Sequence, residues 1–306
     1  MSLRQLNVTV RAPAKINLHL GVGAPRADGY HPLHTVYQAV GLCDDVTVSR
    51  SPGWTLGVTV PDWMDEGALP GPGDNIVDRA ARLLADLHGI EPKAEVRIAK
   101  SIPVAGGMAG GSADAAAALV ALDRLWGVDT TDDDLLRIAA QLGSDVPFAL
   151  HGGTAAGTGR GEVVEPVQDD QTWWWVLVPS RVGLSTPAVY ARFDELNPGA
   201  SSEPPAPSDL LDAIASGGVH QLAEALHNDL QPATLDLRPE LADVIDAGEQ
   251  AGALRGLVSG SGPTVALLCD GVDDARAVAG ALGESHHGVV LVANGPVAGA
   301  HVVTYA

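Results

Sequence analysis

Pro103-Val104-Ala105-Gly106-Gly107-Met108-Ala109-Gly110-Gly111-Ser112-Ala113-Asp114-Ala115-Ala116-Ala117-Ala118 is the stretch on which the reading of this chain turns. Gly106, Gly107, Gly110 and Gly111 let the backbone turn with positive φ and approach a ligand closely. The alanine-rich run to Trp126 is strongly helix-forming. A glycine loop therefore feeds a helix N-terminus, where unpaired N–H groups and the helix dipole favour an anion. A phosphate cradle and a plain loop before a core helix are both consistent with this stretch alone. It is not the P-loop of NTPases, because Gly110-Gly111-Ser112 contains no lysine. Nor does it match the Gly-x-Gly-x-x-Gly spacing of dinucleotide folds.

The chain has 306 residues, enough for two domains, and 46% of them are apolar. No apolar run reaches 18 residues, and Met1 to Asn7 shows no apolar signal region, so the expectation is a cytoplasmic protein. Cys43 and Cys269 have no metal-type spacing. A net charge of −20 argues against nucleic acid and anionic membranes as partners. A phosphorylated substrate would then need local positive potential from amides, a metal and a few cations. Lysine occurs only at Lys15, Lys93 and Lys100, with arginine used elsewhere, so Lys15 reads as a chosen point charge.

Leu6–Val10 alternates as a half-buried strand that Pro13 breaks, and Ile16, Leu18 and Leu20 resume the alternation. Lys15, Asn17 and His19 share the opposite face. Val36–Val48 reads as strands around a turn at Cys43-Asp44-Asp45, and residues 51–74 as an irregular excursion. Helices are expected from Asn75 to Gly89, from the glycine loop to Gly127, and from Thr130 or Thr131 to Gly143. Asp132, Asp133 and Asp134 suit the dipole of the last of these. Asp145, isolated before Val146-Pro147, is either an N-cap or a placed base. Gly157-Thr158-Gly159-Arg160-Gly161 could be taken for a second phosphate loop, but the flanking strands favour a hairpin turn or bulge; Glu165–Gln171 reads as a linker and Trp173–Val178 as an apolar strand. A flexible loop at 197–208 precedes helices near 208–216, 218–227 and 239–252. Strands at Val265–Cys269 and Gly288–Val292 flank a helix at 273–283.

Ala12-Pro13-Ala14-Lys15-Ile16-Asn17-Leu18, the 103–113 loop, and Val258-Ser259-Gly260-Ser261-Gly262-Pro263-Thr264 stand in the order of the three motifs of the GHMP kinase superfamily, which the chain resembles. Arg26-Ala27-Asp28-Gly29-Tyr30-His31 and Leu142-Gly143-Ser144-Asp145-Val146-Pro147 narrow the resemblance to the branch acting on 4-diphosphocytidyl-2-C-methyl-D-erythritol in the non-mevalonate route to isoprenoids. Residues 51–74 and 197–218 carry none of it. The resemblance implies a two-domain α/β (α+β) GHMP-kinase fold. Residues 1–167 would resemble the second domain of ribosomal protein S5, and residues 168–306 a ferredoxin-like domain.

It further implies ATP with Mg²⁺ and phosphorylation of the substrate's 2-hydroxyl. Lys15 and Asp145 match the catalytic lysine and aspartate, and Asn17 a polar partner near them. Tyr30 and His31 match the groups that hold the cytosine, and Tyr190 an aromatic on its other face. Lys100 matches a residue near the nucleotide base, and Pro103, Val104, Ala105, Gly106, Gly107, Met108, Ala109, Gly110, Gly111, Ser112 and Ala113 match the ATP loop. Ser112 is the hydroxyl nearest the expected metal. The usual loop reads Gly-Leu-Gly-Gly-Gly-Ser-Ser. Ala113 lacks the second hydroxyl, Asp114 adds an acid of open role, and no carboxylate ligand for Mg²⁺ is assigned. A mevalonate- or homoserine-type kinase, or a regulator that binds nucleotide without turnover, are the rival readings. Tyr30-His31 argues against the first, and Lys15 with Asp145 against the second.

Overall fold

Two antiparallel-rich sheets and ten helices make up the computed structural model, which describes residues 7–71, 73–284 and 288–303. The first sheet is built on β1 (Val8–Val22) and β2 (Leu33–Ser49), which pair along nearly their whole length. β3 (Trp54–Thr59) and β4 (Ala94–Ala99) extend it beyond β2, and β5 (Thr154–Thr158) and β6 (Val163–Val167) form a hairpin on β2. Two later strands come back to β1: β8 (His227–Asn228) in parallel and β12 (His301–Val303) antiparallel. The second sheet has the order β11-β7-β10-β9, from β7 (Trp173–Val178), β9 (Arg255–Val258), β10 (Val265–Cys269) and β11 (Leu291–Gly295).

The helices follow local chemistry. In α1 (Ile76–His88), Asn75 caps the Val77 amide and Gly89 closes the helix in the left-handed region. α2 (Gly110–Trp126) is buried along most of its length, and its alanines let it lie close against β1 and β2. α3 (Asp132–Leu142) is capped by Thr131, with its three aspartates in the first turn as the dipole favours. The short α4 (Val146–His151) follows. Beyond it lie α5 (Thr186–Leu196), α6 (Ser208–Ser216), α7 (Val219–Ala225), α8 (Gln231–Leu237), α9 (Glu240–Gln250) and α10 (Val272–Glu284).

β7 reads as a continuous apolar run because both of its faces are covered. Trp173, Trp175 and Leu177 join the core shared with β1, β2 and α2, whereas Val176 and Val178 face Leu241 and Ile245 of α9 and Val278 of α10. Among the described residues no helix is long and apolar enough to cross a membrane.

Several expectations need correction. Pro13 does not break the first strand; it pairs opposite Cys43 at a bulge, where the ladder is interrupted and its missing N–H is not needed. Leu6 lies outside the described residues. Cys43-Asp44-Asp45 is no turn but part of the continuous β2. Asp44 is fully buried, and its carboxylate accepts from the Lys100 ammonium (2.5 Å) and from the amides of Ser101 (2.6 Å) and Ile102 (2.8 Å). A residue that reads locally as a turn former thus anchors the segment leading into the glycine loop. Part of the expected 165–171 linker is β6, and the strand expected at Gly288–Val292 begins at Leu291. α8 was not anticipated. Residues 197–207 do lack regular structure, but they pack on β1: Ala24 N donates to Ser201 O (2.6 Å), and the His19 ring lies 3.1 Å from Pro205 O.

Lys100 holds a second carboxylate, Asp114 Oδ2 at 2.7 Å, so one ammonium serves two buried acids. Burial pushes Asp114 well above the usual carboxylate range, against the pull of Lys100. Lys100→Met leaves those acids facing each other without a counter-charge, and is expected to cost about 3–5 kcal/mol of stability in denaturant unfolding. An unchanged midpoint would show that the triad does not hold the fold.

Candidate active site

The three sequence motifs meet at one point. Gly107 has φ +76°, and a Cβ there would lie 2.5 Å from Ser259 O and 2.7 Å from Gly262 O. Ser259 Oγ donates to Gly107 O (3.2 Å), and Thr264 N donates to Gly106 O (3.2 Å). From the other side, Lys15 N donates to Met108 O (3.2 Å). The third motif is itself pinned by Asn228, whose Nδ2 donates to Val258 O and Gly260 O, both at 2.8 Å. Ala105 (φ 52°) and Ala109 (φ 58°) adopt the left-handed region without being glycine, at roughly 1–2 kcal/mol each. Such strain persists where surrounding structure over-determines the backbone, as here.

Ala109 precedes α2 and makes no side-chain cap, and the first turn of α2 carries no acid. Its amides are left for an outside anion. A cavity of about 230 Å³ lies there, walled by residues 103–107 and 109–111 with Lys100 and Asp114. Met108 and Ala113 do not face it; both are buried in the core, so their part in the loop is packing. Ser112 is also absent from this wall, at a half-buried position on α2. Lys100 lines the cavity, but its ammonium is engaged by Asp44 and Asp114. Asp114 Oδ1 is buried without a hydrogen-bond partner.

Gly107 and Ala109 also line a second cavity of about 670 Å³, which contains Lys15, Asn17, Tyr37, Ser144 and Asp145. Lys15 is buried, and its ammonium donates to Asn17 Oδ1 (2.6 Å). Asn17 Nδ2 donates to Thr35 Oγ1 (2.8 Å), which in turn donates to His19 O (2.7 Å). This relay fixes the amide so that its oxygen faces the lysine. Burial lowers the Lys15 pKa from 10.5, and the negative charge of Asp145 works against that. Asp145 occupies the N-cap position of α4 yet makes no capping bond. Pro147 lies in the first turn and has no N–H to cap, which leaves the carboxylate to the cavity. The Tyr37 ring lies 5.6 Å below the Lys15 ammonium, and burial with the nearby Asp145 charge holds its hydroxyl well above its ordinary pKa. Tyr37 thus stays a neutral donor.

At the outer end of this cavity Tyr30 is 53% exposed, with the Arg160 guanidinium 4.7 Å over its ring. His31 is buried, with Nε2 2.9 Å from Asp194 Oδ1. The rings of His31 and Tyr190 are 4.8 Å apart, in direct contact. Tyr30, His31 and Tyr190 all line the cavity.

Residues 75–153 match the family model for the GHMP kinases N terminal domain, and residues 210–288 the model for GHMP kinases C terminal. The 4-diphosphocytidyl-2-C-methyl-D-erythritol kinase of a Nocardioides species is 68% identical over 97% of this chain and 100% of its own length. The protein of the same name from Nocardia farcinica is 54% identical over 97% of this chain and 96% of its own. The chain belongs to the GHMP kinases. Like them it is an ATP-using small-molecule kinase. A crystal structure of a 4-(cytidine 5'-diphospho)-2C-methyl-D-erythritol kinase superimposes with a TM-score of 0.76 at 32% identity, covering 94% of this chain and 98% of that one. A homoserine kinase from Cytophaga hutchinsonii gives 0.73 at 20% identity, over 99% of both chains, which speaks for the shared fold alone.

Within this GHMP kinase, the sequence placed Lys15, Asn17, Tyr30, His31, Asp145 and Tyr190, and all six line the larger cavity. It missed Tyr37, Arg160 and Asp194. Tyr37 pairs across the sheet from Asn17, a register that only the strand pairing reveals. Arg160 was read within a hairpin turn that could also be taken for a phosphate loop, and Asp194 was not singled out.

Two outcomes follow from this geometry. Gly107→Ala drives a methyl against two backbone carbonyls and is expected to weaken ATP binding by about tenfold or more in calorimetric titration. Because Lys15 loses its charge above its pKa, and burial has lowered that pKa, the alkaline fall of kcat/KM should be centred below 10.5. A flat profile through that range would separate Lys15 from turnover.

Proposed function

We propose that this kinase transfers the γ-phosphoryl group of ATP to the 2-hydroxyl of 4-diphosphocytidyl-2-C-methyl-D-erythritol. One observation carries the reading: the two cavities share the wall Gly107 and Ala109, and Asp145 and Lys15 stand in the larger one beside that wall. ATP fills the smaller cavity with its phosphates on the loop and the start of α2. The alcohol enters from the larger one. Asp145 accepts or orients the proton of the attacking hydroxyl as the new P–O bond forms. Lys15 offsets charge growing on the phosphoryl oxygens. Asn17 fixes the ammonium. Tyr30 offers its face to the cytosine, while His31 and Tyr190, packed on each other, form the adjoining wall. High identity to kinases named for this substrate supports the choice over mevalonate or homoserine. The strands up to β6 all lie in the first sheet and β7 opens the second, which supports a division near residues 167 and 168.

Mg²⁺ belongs to this reading as a partner of the nucleotide. Among the described residues no group of three His, Cys, Asp or Glu side chains is arranged to cage a metal. Such an ion would be held chiefly by the phosphate oxygens and water. When bound, Mg²⁺ neutralises the β and γ oxygens.

The test is ADP release with Mg-ATP and the cytidyl alcohol, alongside mevalonate, homoserine and galactose. Turnover is expected with the cytidyl substrate alone, and Asp145→Asn should reduce it by about 10²–10⁴-fold. Turnover with another alcohol would discard the cytidyl reading, and a fully active Asp145→Asn would return that residue to a capping role.

A further inference from the structure

The proposed substrate carries a diphosphate between its cytidine and its alcohol, and the larger cavity must meet that charge. Lys15 and Arg160 are the Lys or Arg residues in its lining, against the carboxylates of Asp145 and Asp194. Lys15 is buried and held by Asn17 beside Asp145, at the phosphoryl-transfer end. Arg160 stands over the exposed ring of Tyr30.

Its position is built into the fold. Arg160 lies at the tip of the β5–β6 hairpin between Gly159 (φ +73°) and Gly161 (φ +99°). A Cβ on Gly161 would collide with the Tyr37 hydroxyl, and Leu33 N donates to Gly159 O (2.9 Å), so the tip is tied to β2. The Arg160 amide donates to Glu162 Oε2 (2.6 Å), while Nε lies 3.6 Å from Glu162 Oε1. That carboxylate steadies the inner edge of the guanidinium. Its terminal nitrogens have no hydrogen-bonding protein partner among the described residues, and its plane rests over Tyr30. A guanidinium so placed has its fork free for two phosphate oxygens.

We infer that Arg160 is the contact for the substrate's diphosphate, so that the hairpin reads the anionic linker while Tyr30 reads the base. This rests on the cytidyl reading of the site. A guanidinium lying on the ring that carries the base is within a ribose's length of that base's own phosphates. The cation therefore selects nucleoside diphosphate derivatives over neutral nucleosides.

Calorimetric titration of cytidine, CMP and CDP into wild type, Arg160→Gln and Arg160→Lys tests it. Wild type should prefer CDP to cytidine by about tenfold or more, and Arg160→Gln should bring the two within about threefold by weakening CDP alone. Arg160→Lys, which keeps the charge but not the fork, should fall between them. In turnover, Arg160→Gln should raise KM for the cytidyl substrate about tenfold with kcat within about threefold of wild type. An unchanged CDP-to-cytidine ratio in Arg160→Gln would overturn the assignment. So would equal weakening of all three ligands, which would make Arg160 a prop for Tyr30. If none of the three binds wild type, the cytidyl reading fails and the diphosphate contact falls with it.

Discussion

Backbone lies directly on backbone where Gly107 meets the carbonyls of Ser259 and Gly262, and the rest of the site is referenced to that contact. No side chain larger than hydrogen fits there. The closeness lets residues from three distant parts of the chain fix one loop: Met108 bonded to Lys15 N, Gly106 to Thr264 N, Gly107 to Ser259 Oγ. The loop in turn sets where the amides of α2 begin. For a protein of net charge −20 this matters, because its phosphate-binding potential comes from oriented amides and two or three placed cations. Bulk charge works against its ligands, and local geometry overcomes it.

Glycines, alanine periodicity and caps made α1, α2 and α3 legible almost to the residue, because each is governed by its own neighbours. The errors fell where a distant partner decides. Asp44 has the composition of a turn, but its carboxylate accepts bonds from Lys100, Ser101 and Ile102, more than fifty positions away in sequence. Pro13 sits in a strand because a bulge opposite Cys43 removes the need for its N–H. Asp145 was ambiguous between cap and base for a physical reason: it occupies the cap position, and only the missing capping bond and the cavity show that it does not cap. The residues missed altogether, Tyr37, Arg160 and Asp194, act through cross-strand register or through contacts between segments.

Fold similarity does not separate members of this superfamily. A kinase named for the cytidyl substrate and a homoserine kinase superimpose almost equally well, at TM-scores of 0.76 and 0.73. The rim of the larger cavity carries Tyr30, His31 braced by Asp194 and Tyr190, and the hairpin tip. Lys15 and Asn17 sit on the long strand β1, whereas Asp145, Tyr30, His31 and Arg160 sit on connections, where sequence can vary without disturbing the core.

β8 and β12 both cross back to pair with β1, so the later half of the chain is stitched into the first sheet by two separate ladders. A core containing Trp175 and Leu177 from β7 together with Ile16 and Leu18 from β1 fills the space between. Such an arrangement resists the hinge closure by which many kinases swallow their substrates, since opening it would tear strand pairs and expose that core. The connections carrying Gly29, Tyr30, His31 and Arg160, and the start of α5 at Thr186 and Pro187, line the cavity instead. This enzyme is better pictured as a rigid vise than as a pair of jaws.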